Sequence, residues 1–299
     1  MIEVLHPGPL ATVQDAGRYG HAHLGVAHAG AVDADAYALA GRLVGNPPGA
    51  AAIEVTLGGA AFRFHRPARF ALTGAPAPAV CDGRPVAHGR SEYAPGGAVL
   101  TIGTPAVGVR TYLAVGGGID VPPTLGSRST DTLSGLGPAP LAAGDRLPVG
   151  RAAPQAAAPV DWTVPRLPGP LATVRALPGP RADRLTGTAV ARLYGHAWEV
   201  TADSNRIGVR LCGPVLDRSV TDELASEGMV AGAVQLPSSG QPIVFLADHP
   251  TTGGYPVVAV VTEADLPLVA QARPGQRLRF TPVPHPAHTV VGTPTHRPA

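Results

Sequence analysis

Turn-forming residues interrupt this chain too often for it to be built from long helices. Its 299 residues include 38 glycines and 34 prolines. In many stretches a turn signal recurs roughly every 8–12 residues, the spacing of short strands in a sandwich or barrel. The apolar runs between the turns fit that reading: Ile2–Leu5, Ala60–Phe64, Phe70–Leu72, Ala79–Cys81, Ala98–Ile102, Val109–Val115, Leu171–Ala176 and Val257–Val261. Asp82-Gly83 marks a tight turn. Three places read as short helices. Asp33 is placed to cap one whose face carries Tyr37, Ala40, Leu43 and Val44 and which stops at Gly45-Asn46-Pro47. A second spans roughly residues 183–193, and Asp265 is placed to cap a third with Pro267 in its first turn. The predicted class is mainly β.

Composition narrows the function. Hydrophobic residues make up 44% and charged residues 15%, so the chain can bury a sizeable core. No apolar run reaches the roughly 18 residues of a spanning helix, and residues 1–7 do not read as a secretory leader. Cys81 and Cys212 make no disulfide framework, and the expectation is two buried thiols in a reducing cytoplasm. Net charge is +2 with no basic cluster, which argues against nucleic acid and against a membrane surface. The chain has no lysine, so its 23 Lys and Arg residues are all arginines. That excludes a Schiff-base lysine and a Walker-type phosphate lysine.

The organisation reads as residues 1–150, an Ala/Pro-rich linker over 151–168, residues 169–280, and a flexible Pro/Thr/His-rich tail over 281–299. The two halves echo each other. Asp15, Arg18 and Gly20 have the spacing of Asp203, Arg206 and Gly208. Glu54 before Gly59-Ala60 parallels Glu227 before Gly232-Ala233, and Phe70–Thr73 parallels Ile243–Leu246. Two related β units facing across a cleft is the arrangement this suggests, and clefts of that kind commonly hold ligands.

Four groups of residues carry candidate chemistry. The stretch Ser226–Pro256 holds two apolar runs joined by Pro237-Ser238-Ser239-Gly240. It ends in a loop with Asp248, His249, Thr251, Thr252 and Tyr255, where Asp248 and His249 suit acid–base work. Ser127, Arg128, Ser129 and Thr130 put three hydroxyls and a guanidinium in four positions, which suits an anion. Arg18 and Arg206 can fork onto a carboxylate, or fix their own loops. Gly116-Gly117-Gly118 reads either as an oxyanion loop or as a tight strand exit. His21, His23 and His28 lack the Cys or acid of a metal site, and no metal is expected.

Three long stretches, residues 8–46, 108–132 and 226–261, together resemble one family, the allophanate hydrolase subunit 2-like or KipA family. It includes the C subunit of bacterial 5-oxoprolinase and part of the carboxyltransferase region of urea carboxylases. Ala27 and Val32 stand where that family usually has Pro and Met. The resemblance implies two cyclophilin-like β-barrel domains with a few short helices. It implies two partners, one KipI-like and one LamB/YcsF-like, and ATP-dependent hydrolysis of 5-oxo-L-proline to L-glutamate. ATP would be used by the complex and not held by this chain alone. The alternatives it leaves open are a biotin-dependent carboxyltransferase role, with biotin carried on another chain, and a non-enzymatic KipA-like antagonist of a kinase inhibitor.

Overall fold

The computed structural model describes residues 1–152, 166–220 and 222–283. Most of the expected linker and the tail from residue 284 onward lie outside the described residues. Thr281 and Pro282, expected in the tail, instead complete the strand Arg277–Pro282.

The chain is mainly β. In the first half a six-stranded sheet runs in the order Arg146–Leu147, Ile2–Pro7, Ala60–Phe64, Val99–Ile102, Ala79–Cys81, Arg84–Pro85. A five-stranded sheet runs Leu10–Gln14, Ala52–Thr56, Arg110–Val115, Ala68–Gly74, Ser91–Ala94. The two sheets share one core, in which Ile2, Val4, Phe62, Phe64 and Leu100 of the first meet Val13, Ile53, Val55, Phe70, Leu72 and Leu113 of the second. Successive strand residues point to opposite faces. So when Ile53, Val55 and Leu113 enter that core, Ala52, Glu54, Tyr112 and Ala114 must face the other way. There the helix Ala34–Leu43 covers Ala52, Ala71, Tyr112 and Ala114. Arg110–Val115 is therefore buried on both faces.

The second half is a closed seven-stranded barrel: Leu171–Pro178, Val257–Val261, Ala233–Gln235, Ile243–Phe245, Gly208–Cys212, Trp198–Val200 and Arg277–Pro282. Leu171–Pro178 closes it by pairing in parallel with Arg277–Pro282, Leu171 opposite Arg277. Trp198, Val174, Val234, Val244 and Phe280 fill its centre. A closed barrel has no free edge strands. Its second helix starts later than the sequence pattern suggests. Ala182–Arg184 is a 3-10 turn, and the α-helix is Gly187–Gly195, because Thr186 accepts from the Ala189 N–H and sets the cap there. Asp265 does not cap Leu266–Ala270; its carboxylate instead takes the Arg175 guanidinium and backbone N–H.

The halves meet through a buried polar seam. Gln271, just past the third helix and 0% exposed, accepts from the N–H groups of Val109 and Arg110 and donates to Asp33 and to the Arg110 carbonyl. It needs glycine on either side. Gly74 and Gly108 have positive φ, and a Cβ there would lie 3.3 Å and 3.0 Å from the Gln271 carboxamide.

Candidate functional site

A cleft of about 820 Å3 lies where the two halves meet, within the usual range of ligand sites. The first half supplies Tyr19 and His28 from the loop over residues 15–31, one side of the helix Ala34–Leu43, and residues 46–50. The second half supplies Ala231, Leu246, Ala247, Glu263, Leu266 and Pro267. Alanine, proline, valine and leucine form much of the wall. The helix lines it through Asp35, Ala38 and Arg42, spaced i, i+3, i+7 on one side.

The loop over 15–31 is held at its neck by Arg18 N–H donating to the His28 carbonyl and Ala31 N–H donating to the Asp15 carbonyl. Asp15 is itself fixed by the loop that sequence reasoning singled out. Its carboxylate accepts from Ser127 Oγ at 2.6 Å, Ser129 Oγ at 2.6 Å, the Arg128 N–H at 2.6 Å and the Gly17 N–H at 2.8 Å. The donors expected to meet an anionic ligand thus meet a carboxylate of the same chain. Ser127, Ser129 and Thr130 are buried, and Thr130 bonds the strand Leu10–Gln14 through its backbone. The Arg128 side chain donates to the Val121 carbonyl and to Asp120. Gly116, Gly117 and Gly118 spend their N–H groups on Arg69, Asn46 and Val115, which makes them a strand exit.

The two candidate arginines are both buried, and the chain uses them differently. Arg18 donates to the carbonyls of Ser129 and Thr124, so it clamps a loop. Arg206 bridges the halves. It grips Asp248 with two N–H groups at 3.0 Å and 2.8 Å, reaches Glu54 with a third, and also donates to the Gly30 carbonyl. Glu54 further accepts from the Tyr112 hydroxyl at 2.7 Å and the Val32 N–H, with Arg110 3.5 Å away. Asp248 also accepts from the N–H and the hydroxyl of Thr132. Two carboxylates and two guanidiniums are thus buried together with balanced charge, the condition under which burying ions is tolerable. Burial pushes the Glu54 carboxyl up, but Arg206 and Arg110 outweigh it and hold the group below its ordinary value. Burial pushes the Tyr112 phenol up, and the Glu54 and Asp33 charges push it further.

Asp248, expected as a catalytic acid, is 0% exposed and has its oxygens occupied in this seam. His249 stacks on Phe245, ring centroids 6.1 Å apart, and its Nδ1 lies 2.8 Å from the Pro250 carbonyl. A carbonyl only accepts, so Nδ1 carries the hydrogen and Nε2 is the free basic atom. His28 is also poised as a base. Burial, then the neighbouring His249, lowers its pKa and favours neutral imidazole. Its Nε2 is buried without a partner among the described residues, and the Tyr19 and His28 ring centroids are 3.9 Å apart. Thr251 and Thr252 sit beside a small strand pair, Glu227–Gly228 with Thr252–Gly253, where the Thr251 carbonyl accepts from Met229. Tyr255 is 46% exposed and its carbonyl accepts from Gln235. Arg18, Arg128, Arg206, Thr251, Thr252 and Tyr255 do not line the cleft.

Sequence reasoning missed Glu54, Arg110, Gln271 and His28 as site-forming residues. A signal existed for two. Glu54 and Arg110 are charges inside apolar strand runs, and strand register sets Tyr112 opposite Glu54. Among the described residues no group of three or more His, Cys, Asp or Glu side chains is arranged to hold a metal ion, and no helix is long and apolar enough to cross a membrane.

The model of the carboxyltransferase domain, subdomain A and B, matches residues 24–282. The chain belongs to that family. It is 40% identical to the 5-oxoprolinase C subunit of Escherichia coli, over 94% of this chain and 90% of that protein. It is 34% identical to urea amidolyase of Lachancea kluyveri over 94% of this chain, but over only 17% of that protein. Among solved structures, urea amidolyase of Kluyveromyces lactis superposes with a TM-score of 0.86 at 30% identity, covering 95% of this chain and 19% of that one. This carboxyltransferase-family fold thus occurs both as a nearly free-standing chain and as a small part of much longer enzymes.

Proposed function

We propose that this chain is the C-type component of a 5-oxoprolinase, acting with a KipI-like and a LamB/YcsF-like partner. The complex would open the lactam of 5-oxo-L-proline. The ring C–N bond breaks and one water adds to the carbonyl carbon to give L-glutamate, while a second water is consumed as ATP becomes ADP and phosphate. The observation that carries this reading is the match to the E. coli protein over nearly the full length of both chains. A stable lactam needs its carbonyl oxygen activated and its leaving nitrogen protonated. It also needs a base to take the proton from the attacking water, and His28, which lines the cleft and is held neutral by burial, suits that task. His249, beside it, would serve as a proton relay.

The test is reconstitution with a KipI-like and a LamB/YcsF-like partner chain. ATP-dependent release of glutamate from 5-oxoproline supports the reading, and no release with all three chains present overturns it. A second reading rests on the urea amidolyase superposition. There the chain would transfer a carboxyl group from biotin carried on another chain, since it has no lysine of its own to carry one. Carboxyl transfer from a supplied carboxybiotin carrier, without glutamate release, would favour that reading.

A further inference from the structure

We infer that Arg42 is the residue that recognises the substrate's carboxylate, an inference that rests on the proposed lactam reaction. 5-Oxoproline carries a carboxylate beside its ring, and a largely apolar cleft must answer that charge with a cation or reject the substrate. The arginines that sequence pattern pointed to are unavailable. Arg18 donates to loop carbonyls and does not line the cleft, although its Nη1 has no partner among the described residues; Arg206 is spent on Glu54 and Asp248, and Arg128 on Asp120 and the Val121 carbonyl. Arg42 is the one arginine among the described residues that line the cleft. It has no ion pair or side-chain hydrogen bond within the described residues.

Its setting fits the task. Arg42 sits in the last turn of the helix Ala34–Leu43, a rigid element that fixes where the guanidinium starts. Around it the wall is Ala38, Gly41, Asn46 and Pro47, all uncharged. The carboxylate on the same side of the helix, Asp35, is seven residues back, about 10 Å along the axis. Glu263 lies on the opposite, second-half wall. Arg42 therefore gives the cleft one positive end, and its forked donors match a carboxylate in a bidentate pair. A five-membered lactam held there fills a small part of a cleft that His28 also lines.

The experiment compares wild-type, Arg42→Ala and Arg42→Lys chains in the reconstituted complex, with 5-oxoproline and with 2-pyrrolidone, the same lactam without a carboxylate. Arg42→Ala should raise KM for 5-oxoproline at least roughly tenfold, the scale of one charged hydrogen-bonding pair. Arg42→Lys should recover part of that loss, and neither variant should change turnover of 2-pyrrolidone. Thermal melts of both variants at the wild-type temperature show that the exposed substitution leaves the fold intact. An unchanged KM for 5-oxoproline in Arg42→Ala overturns the inference alone, and so does an equal loss with both lactams. No glutamate from the wild-type complex overturns the reading beneath it as well.

Discussion

Arg18 and Arg206 stand at the same place in two matching sequence patterns, Asp-x-x-Arg-x-Gly, and both are buried. The first is anchored within its own half, on the carbonyls of Ser129 and Thr124. The second spans both halves, on Glu54 and Asp248. Glu54 and Glu227 form the same contrast. Glu54 is 1% exposed inside the seam, whereas Glu227 makes a solvent-facing pair with Arg181. Strand pairing diverges as well. Ala233–Gln235 and Ile243–Phe245 pair directly as a hairpin, while their counterparts Ala60–Phe64 and Ala68–Gly74 lie in different sheets. Sequence spacing was kept where the physical roles were not. The half that kept a glutamate and the half that kept an arginine at the joint supply one ion pair between them.

This contrast can be tested on stability. Arg206→Ala removes the cation from between two buried carboxylates, and truncating one partner of such a group costs about 3–5 kcal/mol. Chemical denaturation should show the loss, and a cost near zero would mean that the seam is wet and weak. Arg18→Met loses bonds to neutral carbonyls, which are left buried, and should cost about 2–3 kcal/mol. If it matches Arg206→Ala, the distinction between local and spanning arginines fails. Asp265 comes next. Its hydrogen bonds to Arg175, helped by Arg166, hold its carboxyl at about 2, against 3.8 when unperturbed. The folded value is depressed, so this contribution is complete above pH 3.8 and is lost as pH falls towards 2. Both arginines are about half exposed, so the effect is about 1 kcal/mol. Asp265→Asn should flatten the acid limb of the stability curve between those values, and an unchanged limb would break the assignment. Glu227→Gln, the partly exposed counterpart of Glu54, should leave the denaturation midpoint nearly unchanged. A larger loss would show that the surface pair matters as the buried one does.

The strands were legible because their signals are local. Ala60–Phe64, Ala79–Cys81 and Val257–Val261 fall where the apolar runs and turns put them. So does the helix capped by Asp33, whose carboxylate accepts from the Ala36 N–H. Closure was less legible, because it depends on which strands meet last. Leu171–Pro178 and Arg277–Pro282 are about a hundred residues apart and nothing in either announces the other. The site was least legible. Ser127 and Ser129 look like ligand donors in a linear reading because Asp15, their acceptor, is more than a hundred residues away. A hydroxyl that points inward and one that points outward have the same letter. His28 became notable only when folding buried its Nε2 beside Tyr19.

The Gln271 contact recognises mainly peptide groups, with the Asp33 carboxylate as its one side-chain partner. Its carboxamide reads the main chain of Val109 and Arg110 much as an added strand would. Sequence drift in the surrounding side chains leaves such a contact untouched so long as Gly74, Gly108 and Asp33 are kept. A one-residue insertion or deletion within residues 108–110, or between Leu266 and Gln271, would shift these partners at once. The joint between the halves is therefore guarded by chain length more than by residue identity. The cleft that the joint frames therefore depends on the register of those two short segments.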